Sequence, residues 1–141
     1  MASGEIPPPS TSADGDEEDG TSFKDAYAPL VLYEGKGEYR GTYNLILSDE
    51  HMVSCGRDKV FEENGRYGNG YAWGDIALCA VRKSAEPEIE GKIEMDPEGG
   101  SFFARSSNID AIRALASLLH KACHEPEYLA ELVKNAPFEF D

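Results

Sequence analysis

Cysteine is sparse in this chain. Only Cys55, Cys79 and Cys123 occur, an odd count with no C-x-x-C pair, which fits a reducing cytosol in which thiols serve as small hydrophobes. Long apolar runs are missing too. Nothing approaches the ~20 residues of a membrane span, and the N-terminus lacks the basic start and apolar stretch of a secretory signal. The expectation is a cytoplasmic protein with no membrane contact. Basic residues are the third scarcity: 13 Lys and Arg stand against 27 Asp and Glu, for a net charge of −14. A body this acidic repels phosphate backbones, which argues against direct nucleic-acid binding and suits a basic partner.

The shortage of apolar residues is sharpest at the start. Residues 1–25 hold Pro7-Pro8-Pro9-Ser10, an acidic run from Asp14 to Asp19, and little apolar beyond Ile6 and Phe23. Such a segment cannot bury enough surface to offset its ordering entropy. It is expected to be a disordered acidic tail carrying −6, ahead of a single domain over 26–141 carrying −8.

Signatures of catalysis are also lacking. There is no zincin helix, no G-x-S-x-G elbow and no EF-hand loop. Gly68-Asn69-Gly70 lacks the preceding strand and the Lys-Ser/Thr of a phosphate loop. His120, Cys123 and His124 have the i, i+3, i+4 spacing that could share a zinc ion. Cys123, however, belongs to an apolar helical stripe, and a histidine near a helix C-terminus needs no metal to explain it. Cys55 or Cys79 could be drawn beside His51 as a nucleophile and base, but no local signature orients them. The chain is therefore expected not to be an enzyme and to use no metal or cofactor. A small intracellular Cys/His-dependent hydrolase and a peptide-binding adaptor are the competing readings.

What is present is an α+β pattern. Leu30–Tyr33 and Thr42–Ser48 read as an antiparallel pair of strands, the second placing Tyr43, Leu45 and Leu47 on one face while Ile46 breaks the alternation. Lys59–Glu63 reads as a short helix stopped by Asn64-Gly65. Gly68-Asn69-Gly70 reads as a sharp turn with backbone at positive φ. It aims Trp73 into the core at the mouth of a helix over 73–83, whose apolar face is Trp73, Ile76, Ala77, Ala80 and Val81. A hairpin follows, with Lys92–Met95 leading into Asp96-Pro97-Glu98-Gly99-Gly100 and Ser101–Arg105 leading out, its glycines supplying positive φ. Ser107 or Asn108 caps an amphipathic helix with the stripe Ile109, Ile112, Leu115, Ala116, Leu119 and Cys123. Pro126 opens a last helix, which Asn135-Ala136-Pro137 stops. The order predicts an antiparallel sheet with helices packed on one face. The run Glu86, Glu88, Glu90, Glu94, Asp96 and Glu98 reads either as a solvated face or as a contact surface for a basic partner.

In combination, Gly68-Asn69-Gly70-Tyr71-Ala72-Trp73, the helix behind it, Lys92 to Ala104 and the amphipathic helix after them resemble the immunity protein 51 family. These are small bacterial proteins encoded beside polymorphic or contact-dependent toxins. The resemblance covers residues 28–122. Where the family pattern has an acidic residue between the aromatics, this chain has Ala72, so no carboxylate acts from that position. The resemblance implies a protein that neutralises a cognate toxin C-terminal domain by occluding it. An acidic inhibitor favours a nuclease, whose substrate cleft must be basic, as that toxin. Gly68, Asn69, Gly70, Tyr71, Trp73, Asp96, Pro97 and Phe102 are then motif residues with structural roles. Glu88, Glu90, Glu94, Asp96 and Glu98, beside a rigid turn, are the candidate toxin-contact residues.

Overall fold

A computed structural model describes residues 26–48, 58–66 and 68–140. The expected tail over 1–25, and His51 and Cys55, lie outside the described residues. Four strands, β1 (Val31–Glu34), β2 (Tyr43–Ser48), β3 (Glu94–Met95) and β4 (Ser101–Ser106), form an antiparallel sheet in the order β1-β2-β4-β3. Strand alternation divides the sheet into two chemically different faces. On one, Leu32 pairs with Leu45, Leu45 with Ala104 and Leu47 with Phe102, and all are buried. On the other, Val31, Ile46 and Phe103 form a cross-strand row that is exposed at Val31 and half-buried beyond it. That row gives Ile46 apolar neighbours on its own face, so the break in alternation is itself a cross-strand contact.

Of the helices α1 (Asp58–Glu63), α2 (Gly70–Arg82), α3 (Ile109–His124) and α4 (Pro126–Asn135), α2 and α3 pack on the buried face, α4 packs on both of them, and α1 packs on α4. The fold is α+β, as the pattern predicts. Asn108 caps α3, its side-chain oxygen accepting from the Ala111 amide at 3.0 Å. The stripe behind it, Ile112, Leu115, Ala116, Leu119 and Cys123, is buried. Gly65, at φ 77°, ends the stretch after α1.

The centre of the molecule is α2, and here the structure corrects the expectations. Eleven of its thirteen residues are buried, whereas the periodicity marks only one apolar face. The helix also begins at Gly70, three residues earlier than Trp73. The reason is local: Asn69 has φ −102° and ψ −174°, and its side-chain oxygen accepts from the Ala72 amide at 3.0 Å. Gly68-Asn69-Gly70 is therefore a helix N-cap and not a positive-φ turn. The positive-φ glycines of the described residues are Gly37, Gly41 and Gly65, which leaves out Gly70, Gly99 and Gly100 alike.

Another demand keeps Gly70 a glycine. The hairpin loop crosses directly over it, so that a Cβ there would lie 1.8 Å from the Glu98 carbonyl oxygen. One turn on, a Cβ on Gly74 would lie 2.8 Å from the Phe140 ring and 2.9 Å from Pro97. Two bare positions on one stripe of α2 thus receive the hairpin and the segment after α4. Next to that stripe Trp73, 1 % exposed, packs at 5.4 Å from the ring of Phe61. Before the hairpin, Pro87–Lys92 is a 3-10 helix that buries Ile89. That burial delays the strand expected from Lys92 until Glu94.

Candidate functional site

The five candidate acids are spread along the 3-10 segment and the β3 edge, and the structure sorts them by partner. Glu90 receives two hydrogen bonds from Arg82, Nε to Oε1 and Nη2 to Oε2, both at 2.9 Å. The same guanidinium donates from Nη1 to Glu139 at 2.7 Å. On the sheet, Arg105 approaches Glu94 at 3.3 Å and Asp96 at 3.6 Å; Glu94 and Arg105 are register partners across β3 and β4. Each arginine is therefore flanked by two carboxylates, which leaves one negative charge in excess per cluster. Glu88 and Glu98 are exposed and have no ion pair among the described residues. Hydrogen bonds from Arg82 hold the Glu90 carboxyl below the usual carboxylate range. Those same bonds to Glu90 and Glu139 raise Arg82 well above its ordinary value.

The motif residues have packing roles of several kinds. Trp73 and Phe102 are core. Pro97 is half-buried against Gly74, and the Asp96 amide donates to the Phe103 carbonyl at 2.8 Å, so both hold the hairpin in place. Gly70 and Asn69 start the helix. Gly68 is half-buried, and Tyr71 stays 39 % exposed beside Gly99. Ala72 is fully buried.

Two residues missed by the sequence reading organise this side of the molecule. Asp75 is wholly buried and lies 3.5 Å from Nη1 of Arg66, itself 7 % exposed. The other oxygen of Asp75 accepts from the backbone amides of Glu139 and Phe140, both at 3.0 Å. Arg66 in turn donates from Nη2 to the carbonyls of Ala136 and Pro137. One ion pair thus clasps the backbone on both sides of Phe138, whose ring centroid lies 3.7 Å from the Arg66 guanidinium carbon. A signal was present in the sequence: Asp75 is the one acid in an otherwise small and apolar helix, and a buried acid requires partners.

The groups considered for chemistry do not assemble. Nδ1 of His120 and Nε2 of His124 both face the Ala28 carbonyl oxygen, at 3.0 and 2.8 Å. A carbonyl only accepts, so each facing nitrogen carries its proton. Cys123 is buried in the core instead of beside them, and no group of three or more His, Cys, Asp or Glu among the described residues is placed to share a metal ion. Cys79 is buried in mid-helix, and burial pushes its thiol up, opposite to what a nucleophile needs. A groove of about 440 Å³ lies beside β3, lined by Thr42, Lys92, Glu94, Arg105 and Ser106 among others. The Ser106 hydroxyl is occupied between the Lys92 carbonyl at 2.6 Å and the Asn108 amide at 2.9 Å. No histidine or cysteine reaches this groove, which makes it a polar notch in the acidic edge.

A family model described as Immunity protein 51 matches residues 30–137. The match takes in α4, which the sequence resemblance over 28–122 left out. No curated protein and no solved structure matches the chain. No helix among the described residues is long and apolar enough to cross a membrane.

Proposed function

Because the chain belongs to the immunity protein 51 family, we propose that it binds a cognate toxin C-terminal domain and neutralises it by occlusion, with no catalysis of its own. The family match over 30–137 carries this reading. The acidic edge supports it. Glu88, Glu90, Glu94, Asp96 and Glu98 are the proposed contact acids, and the two arginine clusters among them retain excess negative charge. A partner's lysine or arginine arriving there meets carboxylates already held in place. That arrangement favours a basic toxin face, such as a nuclease cleft, and fast electrostatically steered association. The protein acts in the cytoplasm of its producer and needs no cofactor. Residues 1–25 add charge at long range and are dispensable for folding of the domain over 26–141.

The test is co-expression with the C-terminal domain of a large secreted protein encoded beside this gene. Relief of toxicity together with a stable isolated complex supports the reading. Toxicity that persists at full expression of this chain overturns it. Within a complex, Glu98→Lys together with Glu88→Lys slows association and flattens its dependence on salt.

A further inference from the structure

Phe138 is exposed, yet the backbone on both sides of it is tied to buried side chains by hydrogen bonds. Four large apolar or aromatic residues are exposed among the described residues, namely Val31, Tyr39, Tyr71 and Phe138, and Phe138 is the most exposed at 68 %. Immediately before it, the carbonyls of Ala136 and Pro137 accept from Arg66. Immediately after it, the amides of Glu139 and Phe140 donate to Asp75. Its ring then lies over the guanidinium that holds the preceding residues. A buried ion pair is a costly way to secure a surface loop, since desolvating two charges can exceed their attraction. Here that cost fixes the direction of one exposed aromatic.

We propose that Phe138 is the central anchor by which this protein grips its partner, displayed by the Arg66–Asp75 clasp and flanked by Glu139 and, through the shared Arg82, by Glu90. The inference rests on the toxin-binding reading above and names the surface that serves it. Aromatic residues dominate the energetics of protein interfaces when they fill a pocket at the centre of the contact. An anchor whose backbone is already ordered loses little further entropy on binding. The location is continuous with the acidic hairpin, because Pro97 and Phe140 meet over Gly74. Tyr71, one turn before Asp75 on α2, lies beside Gly99 of that hairpin. Charge selects the occupant. Glu90 and Glu139 share the single Arg82, and Glu98 has no cationic partner among the described residues. A second copy of this chain would bring the same excess of acids to the contact, whereas a partner with an apolar pocket inside a basic rim complements it.

The experiment measures the affinity of the full chain for the purified toxin domain. It compares wild type and Phe138→Ala with Tyr39→Ala and Val31→Ala, which lie elsewhere on the surface. Phe138→Ala is expected to weaken Kd by ~30-fold or more, the range of an interface hot spot, mainly through faster dissociation. Tyr39→Ala and Val31→Ala should stay within about twofold of wild type. Since Phe138→Ala also uncovers Arg66, a photoreactive benzoyl-phenylalanine at position 138, which keeps the aromatic bulk, provides an independent readout. It should crosslink to the toxin domain, and the same group at position 39 should not. Wild-type affinity in Phe138→Ala, or crosslinking from 39 and not from 138, overturns this inference alone. Failure of wild type to form any complex overturns the toxin-binding reading and this inference together.

Discussion

Gly70 and Glu98 approach so closely that no side chain fits between them: a Cβ on Gly70 would stand 1.8 Å from the Glu98 carbonyl oxygen and 2.3 Å from that of Ser101. Both obstacles are backbone atoms, which cannot swing aside as a flexible side chain can. Gly70→Ala should therefore push the hairpin off α2 and cost about 3 kcal/mol, the upper part of the range for overpacking. Gly91→Ala is the control, since nothing lies within 4 Å of its added methyl and its φ is not positive. It should change stability by less than about 0.5 kcal/mol. Urea unfolding of both variants checks the pair.

Removing both partners of the clasp should cost less than the two single removals added together. Asp75→Ala leaves the Arg66 charge buried and the amides of Glu139 and Phe140 without their acceptor. Breaking a buried pair on one side costs about 3–5 kcal/mol. The double variant Arg66→Met, Asp75→Leu should lose less than the sum of the two single losses, because no orphaned charge remains. A double-mutant cycle measured by chemical denaturation gives the coupling. Strict additivity would show that the pair does not act as a unit.

Thiol chemistry should separate the native from the unfolded chain. Cys79 and Cys123 are buried, and burial raises the Cys79 thiol above its ordinary value, so little thiolate exists there at neutral pH. Titration with a chromogenic disulfide at pH 8 should find at most one rapidly reacting thiol in the native protein and three after denaturation. Fast labelling of Cys79 in the native state would revive the reading of a reactive cysteine.

The Arg82–Glu90 pair should reveal itself through pH. The folded-state pKa of Glu90 is lowered, chiefly by the hydrogen bonds from Arg82. Its stabilisation is thus complete above the carboxylate's unfolded value and is lost as pH falls through the depressed folded value. Both side chains are more than a third exposed, at 40 % and 37 %, so the contribution is that of a surface pair, about 0.2–1 kcal/mol. The melting-temperature gap between wild type and Glu90→Gln should stay constant from pH 8 down to about 5 and then close toward acid. A gap that widens in acid would contradict the direction of the shift.

Elements whose cause is local were legible in the sequence. The stripe of α3, the Asn108 cap, the proline that opens α4 and the hairpin all depend on neighbours within a few residues. Asn69 and Gly70 show where such reading stops. Their sequence is compatible with a positive-φ turn, and the feature that forbids a Cβ at Gly70 is a carbonyl far along the chain. The same holds for Asp75, whose backbone partners lie 64 and 65 positions later. Among the candidate acids, the sequence showed the density of charge. Their pairing needed register: Glu94 meets Arg105 only because β3 and β4 are aligned as they are. Arg82 meets Glu139 only because the segment after α4 returns to α2.

That return also sets an order of events in folding. The contacts of α3 with α4, and of β3 with β4, close short stretches of chain, whereas Asp75 reaches Phe140 across 65 positions. Closing so long a loop is entropically expensive before the intervening core exists to hold its ends together. The clasp is expected to form late, so that weakening it in Asp75→Ala speeds unfolding more than it slows folding, which the two arms of a chevron check.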